Sequence, residues 1–231
     1  MLCPAGLTHV DYCEDHRDEA MAVNRDAPAA AARAAAKRGA GFVYFSTEYV
    51  FDGTAGPYAE DDPVHPQSVY ALSKLEGERR AAEENPRAAV IRTTVVYGPE
   101  RQGKNFVYQV LRRARAGEPI RVPSDQRSSP TYNVDLATAT VELIERDFRG
   151  VLHVAGPVVL DRHAFALEVC AVFGLDARLV EAVTTESLRQ PARRPLRAGL
   201  VIDRARALLR TPLRAPREAL ADMRRALEAT R

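Results

Sequence analysis

The sequence predicts a doubly wound α/β fold: a parallel Rossmann-like sheet with a smaller lobe at the carboxyl end. Three short apolar runs, residues 42–46, 88–92 and 151–155, have the length of buried strands. Helical patterns lie between these runs, and strands that alternate with helices are joined by crossovers into a parallel sheet covered on both faces. The pattern changes after Gly156, where we expect the lobe to begin.

The helices follow from local signals. Pro28 suits the first turn of an alanine-rich helix that ends near Arg38. Asp161 can cap a helix that runs to Phe173 in the lobe. The other helical patterns, in chain order, cover residues 70–83, 105–116, 133–147 and 217–231. We therefore expect one domain over residues 1–156 and a substrate-binding lobe over residues 157–231, to which residues 99–131 also contribute.

Composition indicates an ordinary globular protein. The 231 residues are 46% hydrophobic and 28% charged, with a net charge of +2, and no run approaches the roughly 20 apolar residues of a membrane span. We expect a cytoplasmic protein without a membrane or nucleic-acid partner. Residues 189–231 hold 12 arginines and 4 acidic residues. These arginines either face an anion or form the solvated faces of helices.

The cysteines and histidines do not indicate a metal site. Cys3, Cys13 and Cys170 form no C-x-x-C pair, and no histidines stand at zinc-ligand spacing. The polar stretch from His9 to His16, which includes Asp11, is expected to be a solvated loop and a helix start. We assign no structural metal.

Tyr70 and Lys74 are the first catalytic candidates. Four residues apart on one helix, they share a face, and a nearby ammonium lowers a phenol pKa that is otherwise near 10. Thr47 directly follows an apolar strand, at the carboxyl edge where doubly wound sheets bind ligands. Two hydroxyls and an ammonium there suit hydride transfer at a carbonyl with a nicotinamide cofactor. The plainer alternatives are a solvated i,i+4 contact for Tyr70 and Lys74, and a strand-end turn for Thr47.

Five motifs resemble one known family. They are S-T-E-Y-V-F-D-G at 46–53, P-Y-A-E-D-D at 57–62, S-V-Y-A-L-S-K-L-E-G-E at 68–78, I-R-T-T-V-V-Y-G at 91–98 and R-P-L-R at 194–197. Together they are similar to the dTDP-4-dehydrorhamnose reductase group of extended short-chain dehydrogenase/reductases. The resemblance implies a domain that binds NADPH or NADH, with NADPH favoured, and a lobe that binds a nucleotide-linked sugar. It also implies reduction of a 4-keto sugar.

The resemblance assigns a role to each matching residue. Thr47 would hydrogen-bond the keto oxygen, Tyr70 would protonate it, and Lys74 would lower the pKa of Tyr70 and touch the nicotinamide ribose. The cofactor would contact Pro4, Ala5, Ser46, Tyr70 and Lys74. The residues implied for the substrate are Glu48, Val95, Asn105, Arg194 and Arg197, of which the two arginines suit a diphosphate.

Departures from the family pattern limit the resemblance. The G-x-x-G-x-x-G turn is absent, and residues 2–5 resemble the end of the family's fourth strand, so roughly 60 residues are expected to be missing. Either the sequence is part of a longer chain, or a truncated relative has lost its cofactor site. We favour the first hypothesis, because a catalytic trio without a dinucleotide site makes little chemical sense. Glu48 replaces the usual Asp, and Val95 replaces a frequent Trp.

Other functions share these motifs. A regulatory binding subunit similar to the β subunit of methionine adenosyltransferase is one alternative, and a sugar-nucleotide epimerase or dehydratase is another. The acidic loop at Glu60, Asp61 and Asp62 could serve packing, a homodimer contact or a divalent cation. Asn24 resembles an asparagine near the family's active site, with a helix cap as its plainer role.

Overall fold

The computed structural model describes residues 1–229, which contain ten β-strands and nine α-helices. In chain order the elements are β1 (Leu2–Cys3), α1 (Val10–Asp15), α2 (Arg17–Met21), α3 (Ala27–Ala36), β2 (Phe42–Thr47), α4 (Val69–Glu84), β3 (Ala88–Thr93), β4 (Val96–Tyr97), α5 (Phe106–Arg115), β5 (Ile120–Pro123), β6 (Arg127–Ser128), β7 (Thr131–Tyr132), α6 (Asn133–Glu145), β8 (Gly150–His153), β9 (Leu160–Asp161), α7 (Arg162–Phe173), β10 (Val180–Val183), α8 (Asp203–Leu208) and α9 (Pro216–Ala229).

A four-stranded parallel sheet, ordered β1-β2-β3-β8, forms the centre of the fold. The register pairs Cys3 with Tyr44 and Thr47 with Thr93, so the carboxyl ends of β1, β2 and β3 meet at one edge. The apolar side chains of β2 and β3 are buried, as expected for a sheet covered on both faces. The predicted α/β class with a parallel sheet is confirmed.

Helix α4 carries two candidate residues to this edge. Its first turn is capped by Ser68, whose Oγ accepts the Ala71 amide at 3.2 Å. Further along, Gly77 lets the helix approach a π-helical turn at Ala22–Asp26, because a Cβ there would collide with the Asn24 carbonyl and the Tyr44 hydroxyl. This close approach places α4 directly against the π-helical turn and β2.

A second cluster of buried residues forms the core of the lobe. Strands β5 and β10 pair in parallel there, and helix α7 packs against both α5 and α9 beside them. Its fully buried side chains include Tyr97, Val107, Phe165, Leu220 and Met223. The capped helix predicted to end at Phe173 is confirmed as α7, with Asp161 accepting the Ala164 amide at 2.7 Å.

One segment, residues 192–201, runs across both parts and is called the crossing segment below. Its backbone bonds to the sheet domain at Gly53 and Tyr58, and to the lobe at Arg127. Leu200, near its end, and Ile202 and Ala205, which follow it, belong to the core under the sheet. The division at residue 156 stays a prediction, since the two largest buried clusters, the core under the sheet and the core of the lobe, each draw residues from both sides of it.

The carboxyl-terminal helix agrees with the pattern at residues 217–231, except that Thr230 and Arg231 lie outside the described residues. Between residues 1 and 229, none of the helices has both the length and the apolar character needed to cross a bilayer.

Candidate active site

A cavity of about 420 Å³, here called the edge cavity, opens where β1, β2 and β3 end. Loop residues that follow β1, the end of β2, one face of α4 and the residues after β3 form its wall. The lining residues are Pro4, Ala5, Gly6, Thr8, Val10, Phe45, Ser46, Thr47, Tyr49, Tyr70, Lys74, Thr93, Thr94, Val95, Val96 and Arg162. All three predicted catalytic residues and all five predicted cofactor residues are therefore brought together.

Tyr70 and Thr47 form the centre of the cavity. Tyr70 is 9% exposed, and its ring packs edge-on against Tyr49 with the centroids 5.7 Å apart. Burial raises the pKa of the Tyr70 hydroxyl above its usual value, while a hydrogen bond with the Thr47 side chain opposes that rise. Thr47 Oγ1 also accepts the Tyr49 amide at 3.2 Å, which fixes the threonine at the end of β2.

Lys74 is held away from bulk water by two groups of β2. Its Nζ donates to the Phe45 carbonyl at 2.6 Å and lies 4.2 Å from the centroid of the Tyr44 ring. Burial lowers the pKa of Lys74 to about 8. For Tyr70, desolvation outweighs the Thr47 bond, so its pKa lies above the usual value; that Lys74 lowers the pKa of Tyr70 stays a prediction.

Asn24 fixes the loop that follows β1. The side chain is fully buried; its Oδ1 accepts the Leu7 amide at 2.8 Å, and its Nδ2 donates to Ser73 Oγ at 2.9 Å. The Tyr44 hydroxyl in turn donates to the Asn24 carbonyl at 2.7 Å. Asn24 is thus a bridge between this loop and α4, inside a helical run rather than at a helix cap.

The residues of the edge cavity fit the nicotinamide end of a dinucleotide. Ser46 Oγ and Thr93 Oγ1 are buried and have no hydrogen-bond partner within residues 1–229, so each can bond a ligand. Gly6 allows a close approach at the cavity wall, since a Cβ there would lie 3.2 Å from Asn24 Oδ1. Lys74 offers an ammonium on the same wall.

A second cavity, of about 480 Å³, lies between the edge cavity and the lobe and is called the lobe cavity. The two cavities share Val10, Tyr49 and Arg162. Four arginines line the lobe cavity: Arg113, Arg121, Arg162 and Arg194. Such a concentration of guanidinium groups is suited to an anion with several oxygens, because the planar fork matches phosphate geometry.

Val95 reaches the edge cavity in a strained conformation. Its φ of 41° lies in the left-handed region, which β-branched residues rarely adopt. Its carbonyl accepts the Thr131 amide at 3.2 Å, so the strain is held by the neighbouring strand β7. Strain of this kind is concentrated at functional sites.

Glu48 does not line either cavity. The side chain is 2% exposed, and its Oε2 accepts the Gly199 amide of the crossing segment at 3.0 Å. Burial raises the pKa of this carboxyl to about 7, and a hydrogen bond with Thr94 partly opposes the rise. In the structure Glu48 links the sheet edge to the crossing segment, and the substrate contact that the resemblance implied stays a prediction.

Asn105 also lies outside the lining of both cavities. It is the cap of α5, where its Oδ1 accepts the Val107 amide at 3.1 Å and its Nδ2 donates to the Gly98 carbonyl at 2.9 Å. These bonds occupy the side chain, so the structure gives it a role at the start of the helix.

The two predicted arginines border one concavity, and only Arg194 also lines the lobe cavity. Arg194 lines the lobe cavity and forms a two-pronged ion pair with Asp11. Arg197 lines neither the edge cavity nor the lobe cavity; it borders a concavity of about 1010 Å³ together with Arg189, Arg193 and Arg194. Asp11 was expected to lie in a solvated stretch, but its carboxylate pairs with Arg194 of the crossing segment.

Arg162 was missed by sequence reasoning. It is the first residue of α7, it lines both cavities, and its guanidinium lies 5.1 Å from the Phe106 ring. The available signal was its position directly after the capping residue Asp161, which places its side chain at a helix amino terminus.

The acidic loop does not gather around a cation. Glu60 Oε1 accepts the His153 amide at 3.0 Å, Asp62 Oδ2 accepts the Ala59 amide at 2.7 Å, and Asp61 pairs with Arg204. Within residues 1–229, no group of three or more His, Cys, Asp or Glu side chains is arranged to hold a metal ion.

Comparison with known proteins identifies relatives. A family model described as "RmlD substrate binding domain" matches residues 3–229. A dTDP-4-dehydrorhamnose reductase of Mycobacterium tuberculosis is 41% identical over 224 residues, 94% of this chain and 73% of the relative. The crystal structure of a dTDP-4-dehydrorhamnose reductase from Clostridium acetobutylicum has a TM-score of 0.91 at 33% identity, covering 98% of this chain and 80% of that one. A dTDP-4-dehydrorhamnose reductase from Bacillus anthracis in complex with NADP has a TM-score of 0.92 at 29% identity, covering 97% and 79%.

The parallel sheet, and the polar groups at its carboxyl edge, define the class: a Rossmann-like α/β protein. Within that class, the chain belongs to the RmlD substrate binding domain family. The family predicted from the motifs is thereby confirmed.

Proposed function

We propose that this chain is an oxidoreductase that reduces the keto group of a dTDP-linked 4-keto sugar with NADPH. The observation that carries the proposal is the convergence of Thr47, Tyr70 and Lys74 on one cavity at the carboxyl ends of three parallel strands. The names of the relatives support the substrate class, and the NADP complex of one of them supports the cofactor.

The proposed roles follow from the geometry. A nicotinamide in the edge cavity would supply the hydride that the keto carbon accepts. Tyr70, whose raised pKa keeps it protonated at neutral pH, donates its proton to the keto oxygen, and the ketone becomes an alcohol. Thr47 lies within bonding reach of the Tyr70 side chain and orients the same oxygen. The Lys74 ammonium stabilises the negative charge that develops on Tyr70.

The lobe cavity is the proposed site of the nucleotide diphosphate. It adjoins the edge cavity through Arg162, so a sugar at Tyr70 and its diphosphate among the arginines can be bound at once. Residues 99–131 and 157–229 contribute the other arginines and most of the apolar wall, to which Val10 and Tyr49 also belong. We propose this shared region as the substrate-binding lobe.

A direct assay tests the proposed function. The chain is mixed with NADPH, and absorbance of the reduced nicotinamide is followed with and without a dTDP-4-keto-6-deoxy sugar. Oxidation that depends on the sugar nucleotide is the expected result. Binding of both ligands without oxidation would favour the alternative of a regulatory binding subunit.

A further inference from the structure

Asp11 on α1 and Arg194 in the crossing segment form an ion pair beside the lobe cavity, which Arg194 lines. Arg194 Nη1 donates to Asp11 Oδ1 at 3.0 Å, and Nη2 donates to Asp11 Oδ2 at 2.9 Å. The Arg194 side chain is 10% exposed and the Asp11 side chain 25%. Removal of water from both groups makes the pair more sensitive to loss of one partner than a surface ion pair would be.

The bonds leave one edge of the guanidinium free. Nη1 uses its second N–H on the Ala192 carbonyl at 3.0 Å, so three of the five N–H groups are engaged. The other two, on Nε and Nη2, share one edge of the plane, and no acceptor within residues 1–229 bonds to them. Two parallel N–H groups on one edge are the arrangement that binds a phosphate in a bidentate manner.

Asp11 also fixes the backbone that carries Arg194. Its Oδ1 accepts the Ala192 amide at 3.1 Å, two residues before the arginine. Val10, the residue before Asp11, lines both the edge cavity and the lobe cavity. One carboxylate on α1 therefore sets the plane of the guanidinium and the start of the crossing segment, next to the wall that the two cavities share.

We infer that Asp11 is a positioning residue, which holds Arg194 so that its free edge binds the diphosphate of the substrate. This inference rests on the proposed function, which places a nucleotide diphosphate in the lobe cavity. Asp11 itself touches neither the substrate nor the reacting atoms; it acts through Arg194.

Calorimetry with two probes, dTDP and thymidine, tests the inference. Asp11→Asn removes the charge that orients Arg194, so affinity for dTDP should fall about tenfold, while affinity for thymidine should stay within about twofold. Arg194→Gln should give the same pattern. The double variant should bind dTDP no more weakly than Arg194→Gln alone, because the two residues act as one unit. Asp15→Asn, an exposed acid on the same helix, is the matched control and should bind dTDP like the wild type.

The outcomes distinguish failure of the positioning role of Asp11 from failure of the proposed sugar-nucleotide site. Equal loss of dTDP and thymidine in Asp11→Asn, or no loss of dTDP, would overturn the positioning role while the wild type still bound dTDP. Wild-type protein that bound neither probe would overturn the proposed sugar-nucleotide site, and the inference with it. If Asp11→Asn unfolds, Arg194→Gln and Asp11→Glu supply the comparison: Asp11→Glu should retain part of the dTDP affinity that Arg194→Gln loses, and equal loss in both would contradict the inference.

Discussion

Lys74 donates a hydrogen bond of 2.6 Å to the carbonyl of Phe45, the residue two positions before Thr47 on β2. The bond attaches α4 to the strand end that carries the catalytic threonine. It also holds the ammonium over the Tyr44 ring, where burial lowers the pKa of Lys74 to about 8. The charge of this lysine therefore changes near physiological pH.

The reductase activity should depend on that charge. Below pH 8 Lys74 is an ammonium and stabilises negative charge on Tyr70; above it the amine is neutral, so kcat/KM should fall as pH rises through about 8. Lys74→Met should lower kcat/KM about 10²-fold and remove this pH dependence. Lys37→Met, at an exposed lysine, is the control. An unchanged pH profile in Lys74→Met would contradict the role of the ammonium.

Glu48 should make stability depend on pH between 4.5 and 7. Its native pKa of about 7 exceeds the ordinary value of 4.5, so the native state binds more protons in this range. The free energy of unfolding should therefore fall by about 3 kcal/mol as pH rises through it. Glu48→Gln keeps an acceptor for the Gly199 amide and should remove most of that fall in urea titrations. Glu181→Gln, at an exposed position, is the control and should leave the pH dependence of the free energy of unfolding unchanged.

The buried pair of Arg92 and Glu78 should be costly to break. Arg92 Nη2 donates to Glu78 Oε2 at 2.8 Å, and both side chains are 6% exposed. Glu78→Ala leaves an uncompensated buried charge and should lower the free energy of unfolding by about 3–5 kcal/mol. On the same helix, Glu83→Ala breaks only an exposed pair with Arg80 and should cost less than about 1 kcal/mol. Similar losses for the two variants would contradict this account.

Arg162 should control binding of the sugar nucleotide. Because it lines both cavities and no ion pair within residues 1–229 engages it, Arg162→Gln should raise KM for the sugar nucleotide about tenfold and leave the affinity for NADPH nearly unchanged. Steady-state kinetics with each substrate varied in turn measure both values. Arg178→Gln, at an exposed arginine, is the control. A change in NADPH affinity alone would show that Arg162 serves the cofactor instead.

Much of the fold could be predicted from local pattern. The apolar run at residues 42–46 corresponds to β2 and that at 88–92 to β3, since a buried parallel strand is apolar on both faces. The i,i+4 spacing of Tyr70 and Lys74 predicted a shared helix face, and both line the edge cavity. Such signals lie within one element, so a sequence displays them directly.

The parts that could not be predicted depend on contacts between distant elements. Glu48 is the neighbour of Thr47 in the chain, yet it bonds to Gly199, 151 residues away. The pairing of Asp11 with Arg194 spans 183 residues. Arg162 has no motif around it, and it lines both cavities only because α7 packs between them. Adjacency in sequence therefore does not decide which side chains face a ligand.

The central claim is that Tyr70 protonates the keto oxygen, and Tyr70→Phe tests it most directly. The ring remains packed against Tyr49, so the fold and the affinity for NADPH, measured by calorimetry, should be retained. Single-turnover reduction of a dTDP-4-keto-6-deoxy sugar, followed by loss of NADPH absorbance, should slow by about 10²- to 10⁴-fold. Tyr12→Phe, at an exposed tyrosine of α1 that lines neither cavity, is the control and should stay close to wild type. A wild-type rate in Tyr70→Phe would contradict the account.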